Sequence, residues 1–217
     1  MATPIETYHL TRLERVQKAL IDNFFESTIY DTLTQAEDYI INTIIPQNSL
    51  TSVGFGGSAT VASSNLVQRL TEVPGLNVID RNDSSLTPDK RQELSRQSLL
   101  TDLFILSANA VSIDGKLVNI DKFGNRVAAL TFGPKKVAVL VGRNKICPDL
   151  HQALSRARNV ASSANAIRLG QDTPCAKTAK CHDCRGQNRL CGTTVITERS
   201  FPPGRIHVLL INQDLGF

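Results

Sequence analysis

Cys175, Cys181, Cys184 and Cys191 are spaced C-x5-C-x2-C-x6-C inside the segment TPCAKTAKCHDCRGQNRLCG. Four thiols this close, in a polar loop with no apolar core of its own, need something to organise them, and a bound metal supplies that folding energy. Lys177, Lys180, Arg185 and Arg189 alternate with the thiols. Their charge would lower thiol pKa values and balance a four-thiolate site. Three readings stay open. An iron–sulfur cluster uses four thiolates and tolerates irregular spacing. A structural zinc takes the same ligands, with His182 able to replace one, but commonly shows two Cys-x2-Cys knuckles where this loop has one. Disulfides or free thiols are the third reading. Cys147 stands apart and reads as a small buried residue.

A second set of chemistry-bearing residues falls between Asp102 and Lys145. Two apolar runs, 103–106 and 137–141, have the length of fully buried strands. The polar residues after them can hold a ligand: Asn109, Asp114, Asn119, Asp121, Asn125 and Arg126, then Gly142, Arg143, Asn144 and Lys145. Strand ends that open into such loops are where α/β folds place their sites. Arg126 begins a short helical piece, where a cation opposes the helix dipole. The position makes sense if the guanidinium clamps an anion or a carboxylate; the plain alternative is an ion pair. Upstream, Gly56-Gly57-Ser58 links a short strand to a helix start, which exposes backbone N–H groups to an anion or simply makes a tight turn. Asp114 and Asp121 are the candidate acids. Asp114-Gly115 also suits a type I′ hairpin turn between 111 and 118, which would make Asp114 a turn residue.

The elements that position these residues read as follows. Thr3-Pro4-Ile5-Glu6 is a capping box opening a first helix, and Thr34-Gln35-Ala36-Glu37 repeats the signature for a second, ended by Pro46. Both helices are expected ahead of the first strand. Strands are expected at 51–55 and 77–79, a capped helix start at Thr87-Pro88, and a long Ala-rich helix from Asp149 to Gly170. Final strands fall at 194–197 and 206–211. Alternation of strands and helices argues for an α/β fold: a mainly parallel sheet flanked by helices, with an inserted β-hairpin at its rim and a Cys-rich loop at 173–192. The organisation expected is a helical segment over 1–48 packed on a domain spanning 49–217.

With 217 residues, 41% of them hydrophobic and 20% charged, the chain can bury a proper core. Its net charge of +4 is spread along the sequence, which argues against a nucleic-acid face. No apolar run approaches the roughly 20 residues of a membrane helix, and MATPIETYHL has no signal core, so membrane insertion is not expected and a cytoplasmic location is. Five cysteines then argue against a disulfide framework.

VGFGGSAT (53–60), SANAVSIDGKLVNID (107–121), GNR (124–126), FGPKKVAVLVGRNKI (132–146) and RIHVLLINQDLGF (205–217) together resemble the LUD-domain family, of the small lactate-utilisation protein C type. The resemblance implies a fold like the ribose-phosphate isomerase, glucosamine-phosphate deaminase and CoA-transferase group. It implies a role in bacterial oxidation of lactate to pyruvate beside iron–sulfur partner proteins. The pocket it implies holds Gly56, Gly57, Ser58, Asn109, Asp121, Asn125, Arg126 and the 142–145 loop around a small anion. Residues 108–125 are also distantly similar to methylthioribose-phosphate isomerase, with Asn109 where that enzyme has an acid, and a neutral amide cannot serve as general base. The leading expectation is a subunit or accessory protein of organic-acid oxidation, self-association included. The alternatives are a stand-alone enzyme on a sugar phosphate or acyl-CoA, and a non-catalytic sensor or scaffold with structural zinc.

Overall fold

The computed structural model describes residues 3–81, 83 and 85–217. Its strands are β1 Glu26–Tyr30, β2 Ser52–Phe55, β3 Asn77–Ile79, β4 Leu103–Ser107, β5 Ala110–Ser112, β6 Leu117–Asp121, β7 Lys136–Gly142, β8 Ile146–Cys147, β9 Thr193–Thr197 and β10 Ile206–Ile211. Six of them make one sheet in the order β1-β10-β7-β4-β2-β3, with every pair parallel. The apolar runs LFIL, VAVLV and VLLI form its centre because a parallel sheet is covered on both faces. Along them alternate side chains part company. Phe104, Leu106, Val139 and Leu210 meet Leu13, Val16 and Leu20 of helix α1 (Pro4–Asp22) on one side. Leu103, Ile105, Leu140 and Leu209 meet Ile40, Phe55, Leu66 and Leu70 on the other.

The segment 1–48 supplies two helices as expected, but it also supplies β1, the edge strand beside β10. ESTIY is short and lies between two strong helical patterns, so periodicity did not mark it. Helix α2 (33–47) is capped by Thr32, whose hydroxyl accepts from the Gln35 N–H at 3.3 Å, two residues before the expected box. It passes through a π-helical turn, Ile40–Ile44, and runs through Pro46 rather than stopping there. The helix expected after Gly57-Ser58 is two short ones, α3 Ala59–Ala62 and α4 Leu66–Thr71. Helix α5, Pro88–Gln97, starts at the Thr87 cap as expected.

The hairpin is not a rim of the main sheet. Strands β5 and β6 pair antiparallel inside a second, four-stranded sheet ordered β8-β5-β6-β9. β9, expected in the main sheet, is its edge. Only Gly115 at the tip has positive φ (+80°), so the turn is not type I′. It is a three-residue loop closed by Ser112 and Lys116, with glycine at the left-handed position. A Cβ on Gly115 would meet the Ala19 carbonyl carbon at 2.7 Å, so glycine lets the tip rest on α1. Helix α6, Asn125–Thr131, and helix α7 (150–168) complete the covering layers; α7 packs Ala153 and Ala157 onto Val118 and Ile120.

Two buried polar groups fasten the main sheet. Asp102 Oδ2 accepts from the Thr51 N–H at 2.9 Å, the Thr51 hydroxyl at 2.8 Å and the Ser52 hydroxyl at 3.2 Å, while Oδ1 pairs with Lys135 at 2.7 Å. Arg205 donates to the carbonyls of Pro134, Leu130 and Ala129 at 3.0, 2.7 and 2.9 Å, closing the C-terminal end of α6. Among the described residues no helix is long and apolar enough to cross a membrane.

Candidate functional site

From β2 the chain moves outward to β3, whereas from β4 it moves the opposite way to β7. Loops at the C-terminal ends of β2 and β4 therefore diverge and leave a crevice between them. A cavity of about 660 Å³ occupies it, walled by the ends of β2, β3, β4 and β6, by Lys145 beyond β7, and by one side of α7.

The cavity is cationic. Arg81, Arg91, Lys122, Arg126, Lys145 and Arg168 line it, against the carboxylates of Asp80 and Asp121. Gly56 and Gly57 let two of these groups close over the β2 turn. A Cβ on Gly57 would stand 3.2 Å from a guanidinium nitrogen of Arg81, and one on Gly56 would stand 3.0 Å from Cγ of Arg126. Arg81 donates to the Ser95 hydroxyl at 2.8 Å, yet its Nε and that of Arg91 are buried with no hydrogen-bond partner among the described residues. Burial pushes the Arg81 pKa down, Asp121 opposes that, and the charges of Arg126 and Arg91 add to it. Like charges held together under burial call for an anion. Helix α3 is a single turn whose Ser58 hydroxyl already accepts from Val61 N–H, so the dipole there is small and the guanidinium groups dominate.

Arg126 already has a carboxylate. Its backbone N–H and Nε donate to Asp121 Oδ2 at 3.0 and 3.3 Å, and its far nitrogen donates to the Ile120 carbonyl. Asn109 bridges β5 and β6 by accepting from the Ile120 N–H at 2.8 Å. Asn119 is fully buried, donates to the Ser107 carbonyl at 3.0 Å and does not line the cavity. Arg156 of α7 ties the strand-end loops together by donating to the carbonyls of Asn109 at 2.6 Å and Asn144 at 3.0 Å. Lys145 is buried, and its Nζ lies 2.8 Å from both Thr60 Oγ1 and Ser107 Oγ. Burial, then the charges of Arg156 and Arg126, push its pKa down to about 7.

The cysteine loop contains one short helix, α8 (Pro174–Thr178), and is otherwise held by polar contacts. Arg189 donates to the carbonyls of Cys191 at 2.8 Å and Cys184 at 2.5 Å and to Asp183 at 2.9 Å. Asn159 accepts from the Cys181 N–H at 3.0 Å. Cys175, Cys181, Cys184 and Cys191 all line one small cavity, together with Arg158, Ser162 and Leu190. Ser162 and Leu190 line the strand-end cavity as well. All four thiols are free. Four soft thiolates are a donor set suited to an iron–sulfur cluster or zinc. Among the described residues, however, no three His, Cys, Asp or Glu side chains are grouped closely enough to hold a metal ion.

A family model described as the LUD domain matches residues 13–211, nearly the whole chain. The chain belongs to the LUD-domain family. The structure of a DUF162 family protein from Deinococcus radiodurans superposes with a TM-score of 0.53 at 12% identity, covering 94% of this chain and 98% of that one, a likeness of fold. eIF2B beta from Chaetomium thermophilum gives a TM-score of 0.32 at 17% identity over 63% of this chain and 39% of its own, too little to carry an argument. No curated protein matches in sequence.

In this LUD domain the sequence-derived pocket residues separate into two groups. Gly56, Gly57, Ser58, Asn109, Asp121, Asn125, Arg126 and Lys145 share the cavity wall. Gly142, Arg143 and Asn144 do not. They fasten the segment 212–216: Arg143 pairs with Asp214 at 3.0 Å, and Asn144 accepts from the Leu215 N–H at 3.1 Å. A Cβ on Gly142 would stand 2.8 Å from the Gln213 carbonyl oxygen, so the glycine permits that close passage. Asp114 lies on the hairpin tip, exposed and paired with Lys116 at 3.2 Å, outside the cavity. Arg81 and Arg91 were missed. The one signal for Arg81 was its place just beyond the end of strand 77–79.

Proposed function

We propose that this LUD domain binds a small anionic organic acid in the strand-end cavity. In that reading it serves as a subunit or accessory protein in bacterial oxidation of lactate to pyruvate, beside iron–sulfur partner subunits. The observation that carries the reading is the closure of Arg81 over Gly57 and of Arg126 over Gly56, with the Arg81 and Arg91 Nε–H groups buried and without a hydrogen-bond partner among the described residues. A carboxylate accepts such donors in charge-assisted bonds, which are about twice as strong as neutral ones. Lactate, pyruvate and inorganic phosphate, titrated separately by calorimetry, test it. One of the carboxylates should bind, and Arg81→Ala should weaken it at least tenfold. No heat from any of the three, or equal binding in the variant, overturns the assignment.

The convergence of four thiols on one cavity supports a metal at Cys175, Cys181, Cys184 and Cys191. An iron–sulfur cluster there would supply one-electron transfer, and the loop would have to draw in around it. Arg158 and Arg189, in the same wall, would offset the thiolate charge. Iron and acid-labile sulfide measured on protein purified without oxygen should be present in proportion to the chain. A colourless protein with stoichiometric zinc replaces the cluster with a structural ion and favours the scaffold reading; neither metal leaves the loop as free thiols.

A further inference from the structure

We propose that Lys145 is a nucleophilic amine that forms an imine with the carbonyl carbon of a small anionic oxo compound held in the strand-end cavity. This deepens the anion-binding reading and rests on it. Two of the three positions around the Lys145 Nζ are used by the oxygens of Thr60 and Ser107, each at 2.8 Å. Those hydroxyls pass their own hydrogens on, Thr60 to the Leu215 carbonyl at 3.4 Å and Ser107 to the Ala108 carbonyl at 3.3 Å. They therefore receive N–H groups from the lysine, and a neutral amine is left with its lone pair as the third position.

Among the described residues no ion pair joins Lys145 to a carboxylate, and the charges that act on it most are those of Arg156 and Arg126, both cations, while Asp121 in the same wall is engaged by Arg126. A buried ammonium with like charges around it and no counter-ion is an expensive arrangement for a merely structural residue. The same surroundings suit an amine that must be neutral to react. Its placement suits the task as well, because Lys145 and Ser107 share a cavity wall with Arg81 and Arg126. An anionic end docked on the guanidinium groups would leave the rest of a small molecule reaching toward Nζ. The Nζ lone pair adds to the carbonyl carbon, and the oxygen then departs as water carrying both amine hydrogens. The product is a C=N bond to Nζ with no change of oxidation state. The Ser107 hydroxyl lies at the amine, in place to relay a proton.

Reductive trapping tests this. The purified full chain is incubated at pH 7.5 with pyruvate, glyoxylate or ribose 5-phosphate, reduced with borohydride, digested and mapped by mass spectrometry. An amine titrating near 7 has on the order of a thousand times the neutral fraction of an ordinary lysine at this pH. The adduct should therefore concentrate on Lys145 over surface lysines, and prior saturation with phosphate should suppress it. Pyruvate and ribose 5-phosphate distinguish a carboxylate-bearing from a phosphate-bearing carbonyl compound. Lys145→Arg, shown to melt like the parent, should lose the adduct. Anion binding by calorimetry without any Lys145 adduct overturns the imine and leaves the pocket standing. Adducts spread evenly over surface lysines, or no adduct with any of the three carbonyl probes, overturn it too.

Discussion

The strand-end cavity and the cysteine loop are built by opposite means. The cavity hangs from the ends of strands buried on both faces, so Gly56, Lys145 and Asp121 are placed by the core before any ligand arrives. Its charged groups are costly to bury, and the rest of the fold must offset that cost. The cysteine loop has no core. A half-buried arginine, Arg189, gathers two of its carbonyls, and the thiols converge without closing. One site is set by packing; the other is held by a few polar contacts. A site of the first kind should be sensitive to changes far away in the core. A site of the second kind should change locally while the domain stays folded.

The largest effect expected is from Arg205→Ala. It strips donors from three buried carbonyls at the end of α6 and should destabilise the fold by about 3 kcal/mol or more in urea titrations. Because Arg126 lies in the first turn of α6, anion binding should weaken with it; intact binding in a destabilised variant would break the claim that the core sets the cavity. Next comes Asp102→Asn. The Lys135 ammonium first, then the Thr51 N–H, hold the Asp102 carboxyl well below the usual carboxylate range. A depressed carboxyl contributes stability above its unfolded value of about 3.9, lost as pH falls toward the folded value. The acid limb of the melting-temperature profile should therefore flatten in the variant.

Lys145→Met should be a smaller, pH-dependent change. The folded pKa of about 7 lies below the unfolded value of about 10.4, so the unfolded chain binds more protons between them. Wild-type stability should gain a rising contribution with pH through that window, and the methionine variant should lack it; parallel profiles would place a counter-ion beside the amine. Smallest is Arg189→Ala, expected to shift global stability by less than about 0.5 kcal/mol while speeding thiol alkylation at Cys184 and Cys191. A large loss of global stability there would remove the contrast between the two regions.

How much of this was legible depends on what signal each part carries. The central strands could be read because a strand covered on both faces is a run of apolar residues, as at 103–106 and 137–141. β1 could not, because an edge strand with half-buried residues, ESTIY, has no such run. Hairpin residues 111–118 were found, but pairing partners are long-range, so the second sheet with β8 and β9 was not. Gly56, Gly57 and Arg126 stood out through turn and dipole arguments. Gly142, Arg143 and Asn144 looked alike in type but serve the chain segment that passes over them. Arg81 and Arg91 sit in a polar stretch where an arginine draws no notice until folding sets Arg81 over the glycine turn and both along the cavity wall.

One feature of α7 ties the two regions together. Its middle turn, Ala157–Ser162, is π-helical. Arg158 faces the thiols, Ala161 faces the strand-end cavity, and Ser162 touches both, with Leu190 of the cysteine loop completing the partition. A π turn holds one residue more than an α turn and can relax by shifting register, and such turns recur at functional sites. The partition is thus thin, one helical turn and one loop residue between the two cavities. Ser162 and Leu190 are walls of both chambers at once, so a larger or smaller side chain at either position alters the shape of two cavities with one substitution.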